Sequence, residues 1–102
     1  MESGRLKLHE GLCDILGNRN AYYDPPSNTR MKYPAIRYSR KKLNIDHANN
    51  LAYIVKDCYE LTLIYDDPDS ELPHKLLRLP MCSHDRHYVA DNLHHDVFTL
   101  YH

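Results

Sequence analysis

The sequence predicts an α+β fold: a mostly antiparallel sheet of about four to five strands, with two helices packed on one face. Three observations predict it. Residues 59–65, Tyr-Glu-Leu-Thr-Leu-Ile-Tyr, place Tyr59, Leu61, Leu63 and Tyr65 in alternation with Glu60, Thr62 and Ile64, the period of a strand with one buried face. The turn residues Asp66, Asp67 and Pro68 then give way to Leu72, Leu76, Leu77 and Leu79, an apolar helical stripe that Pro80 ends. Finally, residues 84–89 and 95–101 flank a turn at Ala90-Asp91-Asn92 and read as a terminal hairpin. A helix leaving a strand through a tight turn packs back on the same sheet, and the remaining strands complete that sheet.

In chain order, residues 5–17 form the first helix. Leu8, Leu12, Ile15 and Leu16 make its apolar stripe, and Gly17 suits the left-handed position just past its end. Gly11 within it costs about 1 kcal/mol relative to alanine. Residues 21–23 form a short strand, and Asp24-Pro25-Pro26-Ser27-Asn28 is an extended or turn segment, because neither proline can donate. Residues 34–40 form a strand with Ile36 and Tyr38 on one face and Arg37 and Ser39 on the other. The polar stretch 41–50 reads as a loop, long for a hairpin and therefore a contact arm. Residues 51–65 form a long strand, antiparallel to 34–40 and open to a bulge. Asp69 or Ser70 caps the second helix, whose first turn tolerates Pro73.

At 102 residues the chain is one domain, residues 1–102, with a modest core. With 26 % charged and 42 % apolar residues it has a soluble, ordered composition. It has no apolar run long enough for a membrane span, and the Met-Glu-Ser-Gly-Arg-Leu-Lys start lacks the apolar centre of a signal peptide. Cys13, Cys58 and Cys82 are odd in number and lack CxxC spacing, which points to reduced thiols in a cytosolic setting. A net charge of −1 excludes a nucleic-acid binder that works by bulk positive charge.

The charge is segregated along the chain. Arg30, Lys32, Arg37, Arg40, Lys41 and Lys42 fall within residues 30–42 with no acid between them. Asp57, Glu60, Asp66, Asp67, Asp69 and Glu71 fall within residues 57–71 with no base. Two opposite patches on a small domain suit head-to-tail association, which closes into a ring when the rotation permits. The same pattern also arises when two neighbouring strands neutralise each other internally. The twelve residues are therefore candidates for a subunit seam, with that internal pairing as the alternative.

Catalytic signals are weak, and no enzyme is expected. There is no G-x-S-x-G, no phosphate-cradling glycine loop, and only three glycines in all. Asp66 and Asp67 form a turn signal that already accounts for them. Cys82 lies two residues before His84, but nothing marks it as activated. Eight histidines invite a metal reading. On a regular strand, however, His84 and His87 point to opposite faces, as do His94 and His95. A zinc site would need one residue from each strand, such as His87 with His95 plus a carboxylate, and no specific ligand spacing is present. No cofactor or metal is expected. Nine tyrosines against one phenylalanine and no tryptophan point to a domain that spends much of its surface on partners.

The chain also carries a set of runs that resemble a known family. These are Leu8-His-Glu-Gly-Leu-Cys-Asp-Ile-Leu-Gly, Tyr23-Asp-Pro-Pro-Ser, Met31-Lys-Tyr-Pro-Ala-Ile-Arg-Tyr-Ser, Tyr65-Asp-Asp-Pro-Asp-Ser-Glu-Leu-Pro, and the closing Asp85-Arg-His-Tyr-Val-Ala-Asp-Asn-Leu-His-His-Asp-Val-Phe-Thr-Leu-Tyr. Over about residues 6–101 the chain resembles small structural proteins of the head–tail module of tailed bacteriophages. The order of elements is similar to that of the tail terminator and tail-completion proteins of long-tailed phages. The resemblance implies a virion protein, assembled in the host bacterial cytoplasm, that forms a homo-oligomeric ring, usually hexameric, at the head-proximal end of the tail tube. Its partners would be the tail tube protein and the head connector or neck proteins, with non-specific contact to passing DNA and no membrane. The loop 41–52 would project toward an adjoining ring or into the lumen. The family's motifs are not catalytic, so the resemblance carries no site residue across. A second reading is a small nucleic-acid-binding or regulatory protein that uses the basic 30–42 segment with Tyr33 and Tyr38. A third is a small metal-dependent enzyme, which would need the histidines to converge.

Overall fold

The computed structural model describes residues 4–48 and 51–102 of the chain. The elements run α1 (Gly4–Leu16), β1 (Ala21–Tyr23), β2 (Ala35–Ala48), β3 (Leu51–Tyr65), α2 (Leu72–Leu77), β4 (Cys82–Ala90) and β5 (Leu93–Tyr101). They build an α+β fold with one five-stranded sheet in the order β1-β2-β3-β5-β4. Every pairing is antiparallel except that of β1 with β2.

Helix α1 buries Leu8, Leu12, Cys13 and Leu16, residues spaced to fall on one face. Gly17 takes φ 75° and its N–H donates to the Cys13 carbonyl at 2.9 Å, closing the helix as a left-handed cap. Helix α2 is shorter than the leucine spacing predicts, because Arg78 and Leu79 donate to carbonyls three residues back in tighter turns. At its start the Ser70 hydroxyl accepts from the Leu72 N–H, and the Asp67 carboxylate accepts from the Asp69 N–H. Leu72, Leu76 and Leu79 still face the core. The turn between β4 and β5 is reduced to Asp91 and Asn92, both at positive φ, as a two-residue hairpin turn of the type I′ kind requires.

Strand β3 is central. Over Cys58–Tyr65 it pairs with β5 on one side and, over most of that length, with β2 on the other. Directly opposed residues share a face, so Ile36 and Tyr38 of β2, Tyr59, Leu61, Leu63 and Tyr65 of β3, and Phe98 and Leu100 of β5 form one apolar surface. Both helices pack on that face, through Leu8, Leu12 and Leu16 of α1 and Leu76 of α2. Tyr38, Tyr59 and Tyr65 therefore belong to the core, while Tyr23, Tyr33 and Tyr88 remain exposed.

One expected feature is corrected. Residues 41–48 are not loop: they continue β2, paired with β3 as far as Ala48 opposite Leu51. The many polar residues of this stretch hid a strand whose partner is the stretch that begins at Leu51. The connection at residues 49–50 lies outside the described residues. The bulge allowed for in the long strand is present. Pairing jumps from Asp46–Ile54 to His47–Ala52, and a second irregularity, between Arg40 and Lys42, leaves Lys41 with no residue of β3 opposite it in the register.

At Gly11 a Cβ would meet no atom within 4 Å. Gly11→Ala should therefore stabilise the chain by about 0.5–1 kcal/mol, read as a higher urea midpoint at unchanged slope.

Candidate functional site

The basic and acidic segments lie side by side, because β2 and β3 are neighbours. Arg40 Nη1 is 3.5 Å from Asp57 Oδ2, and Lys41 Nζ is 3.6 Å from Glu60 Oε2. These partly exposed pairs contribute about 0–1 kcal/mol each. Here the internal neutralisation foreseen as the alternative does occur. The remaining residues behave differently. Ala35 lies opposite Ile64, so the segment entering β2 and the turn leaving β3 share one end of the sheet. Arg30, Lys32 and Arg37 are exposed, as are Asp66, Asp67, Asp69 and Glu71, and among the described residues none of these seven forms an ion pair. The side chain of Lys42 lies outside the described residues. On the face away from the helices, Arg37, Ser39, Glu60 and Thr62 line a polar hollow with Asp24 and Pro25.

The second constellation gathers at the same end of the sheet, on the helix-bearing face. Asp96 is 4 % exposed, a carboxylate at a position whose parity belongs to the core. The Tyr65 hydroxyl donates to its Oδ2 at 2.6 Å. His84 Nε2 and His87 Nδ1 lie 2.8 and 2.9 Å from its Oδ1, and since a carboxylate only accepts, both ring nitrogens donate. His94 stacks on Tyr65 with 5.3 Å between ring centroids, and its Nδ1 lies 3.4 Å from His87 Nε2. The edge of one ring meets the face of the other where His84 packs on Phe98. Burial alone would push the Asp96 carboxyl up. The hydrogen bonds from Tyr65, His84 and His87 outweigh that and hold it below the ordinary carboxylate range.

The convergence of His84 and His87 contradicts the parity expected of a regular strand. His84 lies opposite Phe98, Arg86 opposite Val97 and His87 opposite Asp96, so Asp85 is an extra residue that turns the two imidazoles to one face. His94 and His95 do point to opposite faces. His95 stacks on Tyr88 at 4.6 Å on the far side, so the His87–His95 pairing considered for zinc is not formed. Asp96 and Tyr65 went unnoticed as a pair. The available signal was an acid in the core-facing register of Asp96-Val97-Phe98-Thr99-Leu100, where an unpaired carboxylate would be costly.

Among the described residues no three His, Cys, Asp or Glu side chains converge as a metal-binding group. The Cys82 thiol is pushed up to about 11, chiefly by burial and then by the charge of Asp85, which leaves it protonated near neutral pH. No helix among the described residues is long and apolar enough to cross a membrane. Comparison with protein-family models, with curated proteins and with solved structures finds no match to the chain.

Two outcomes are expected. Tyr65→Phe removes the donor to Asp96 Oδ2 and should cost about 1–3 kcal/mol of stability in chemical denaturation. At about pH 8, Cys82 in the folded chain should alkylate on the order of a hundredfold more slowly than in the urea-unfolded chain, as mass spectrometry of the labelled peptide would show.

Proposed function

We propose that the chain is a virion structural protein of a tailed phage. In this reading it forms a ring, hexameric as in the family it resembles, at the head-proximal end of the tail tube. There it terminates or completes the tail and joins it to the head connector. The observation that carries the reading is the ribbon formed by the far halves of β2 and β3. Pairing with β1 ends at Tyr38, and on the other side the last backbone bonds are those that Asp57 exchanges with His102, so beyond these points no third strand among the described residues pairs with the two. A two-stranded ribbon is marginal in water and gains stability when a further surface covers it. Such an arm fits a subunit that is completed by its neighbours, and it takes over the contact role first read into a loop.

The uncompensated charges support the same reading. Exposed acids at 66–71 and exposed bases at 30–37 can meet across a seam between copies, after Arg40, Lys41, Asp57 and Glu60 have been used internally. Tail tube and neck proteins are the proposed partners above and below the ring. DNA passing through the lumen would meet backbone-directed contacts only, since it must slide. A DNA-binding or regulatory role remains the second reading, favoured by exposed Tyr33 among Arg30, Lys32 and Arg37.

Light scattering of the purified chain across a salt series tests the proposal. A ring-sized species should dissociate as salt rises. Asp67→Lys with Asp69→Lys should weaken it, as should Arg30→Glu with Lys32→Glu, and mixing the two reversed chains should restore assembly. A monomer at every salt concentration overturns spontaneous ring formation. Salt-steep filter binding of DNA by that monomer would then favour the second reading.

A further inference from the structure

The histidine cluster contains a pair whose geometry differs from that of an ordinary hydrogen bond. His87 Nε2 and His94 Nδ1 are 3.4 Å apart, beyond the roughly 2.7–3.2 Å of well-formed hydrogen bonds donated by nitrogen. Zinc–imidazole bonds of about 2.0–2.1 Å at a tetrahedral angle place two ligand nitrogens about 3.3 Å apart. The ring centroids are 5.4 Å apart, much farther than the two nitrogens, so the rings approach by those atoms and not face to face.

Each ring is also held by a neighbour. The Asp96 carboxylate accepts a hydrogen bond from His87 Nδ1–H, which in the neutral ring leaves Nε2 as the lone-pair nitrogen. This is the carboxylate–histidine support commonly found behind metal-bound imidazoles. His94 is fixed by its stack on Tyr65, with an interplanar angle of 18°. Its Nδ1 becomes a second lone pair when the proton sits on Nε2. Tyr65 and His84 also donate to Asp96, one to each oxygen, so the supporting carboxylate is itself held in place.

We infer that His87 Nε2 and His94 Nδ1 form a two-histidine site for a borderline divalent transition metal, with Zn²⁺ the fitting ion. Asp96 is the positioning residue behind His87, and two waters complete the tetrahedron. The bulge at Asp85 creates the site by turning His87 onto the face of Asp96 and His94. The site lies at the end of the sheet opposite the β2–β3 ribbon, because Tyr65 and His94 are the last β3–β5 pair. Metal binding there is independent of the ring reading above.

The test is calorimetric titration of the untagged full chain with zinc chloride, together with the same titration of three variants. One site per chain is expected. His87→Gln and His94→Gln should each weaken it by more than the roughly 10–100-fold that loss of an outer carboxylate costs, and Asp96→Asn should weaken it within that range. His95→Gln, a fourth variant at a residue that faces the opposite side of the sheet, serves as the control and should leave the site intact. Imidazole nitrogen NMR of the wild-type chain keeps the test decisive if a variant fails to fold: zinc should move the His87 and His94 resonances first. No uptake of zinc, uptake unchanged in His87→Gln and His94→Gln, or resonances moving first at other histidines would each overturn the site.

Discussion

The fold depends on the double pairing of β3 over Cys58–Ile64. This segment is paired on both sides, and the alternate residues Tyr59, Leu61, Leu63 and Tyr65 of the strand all turn to the face on which both helices lie. An interior strand with an apolar face fixes the register of its neighbours, because a slip of one residue would bring every core side chain to the other face. The positions of β5, β2 and the two helices follow from it. So does the limit of the body: beyond the bonds that Asp57 exchanges with His102, β2 is the one strand among the described residues that still pairs with β3, and a packed sheet becomes a two-stranded ribbon.

Register irregularities do more chemical work here than any motif. The extra residue at Asp85 reverses the parity of β4 and brings His84 and His87 together on Asp96. A buried carboxylate is tolerated only when its lone pairs are used, and Tyr65, His84 and His87 use them. The result is a polar cluster at the end of an otherwise apolar face. Its imidazoles are oriented from beneath by the carboxylate and from the side by an aromatic ring. The irregularity at Lys41 acts on charge instead, since the neighbouring Arg40 and Lys41 reach Asp57 and Glu60.

The two ends of the sheet thus differ in kind. One carries a ribbon beside which no further strand pairs among the described residues. The other carries the exposed acids 66–71, the chain entering β2 with its bases, and the Asp96 cluster. Different chemistry at opposite ends is what the proposed head-to-tail ring would require, since heterologous contacts close into rings when the rotation permits. Partial internal pairing of the charged strands leaves the residues at the turn and at the entry to β2 as the charges that the proposed seam can use.

Local pattern by itself determined the fold class, both helices, the short strand at Ala21–Tyr23, the core face of β3 and the terminal hairpin. These depend on period, caps and turn residues, which are properties of near neighbours in the chain. The second half of β2 was illegible because Lys41, Lys42, Asn44, Asp46 and His47 outnumber Leu43 and Ile45 there, and its strand character shows in the pairing with β3. Whether the charged segments oppose each other or face outward was open in the sequence, and only the register answers it, pair by pair. The Asp96 cluster was likewise invisible as a unit. Its members come from three strands, and two of them share a face only because of one unpaired residue, a feature that no periodicity count can register.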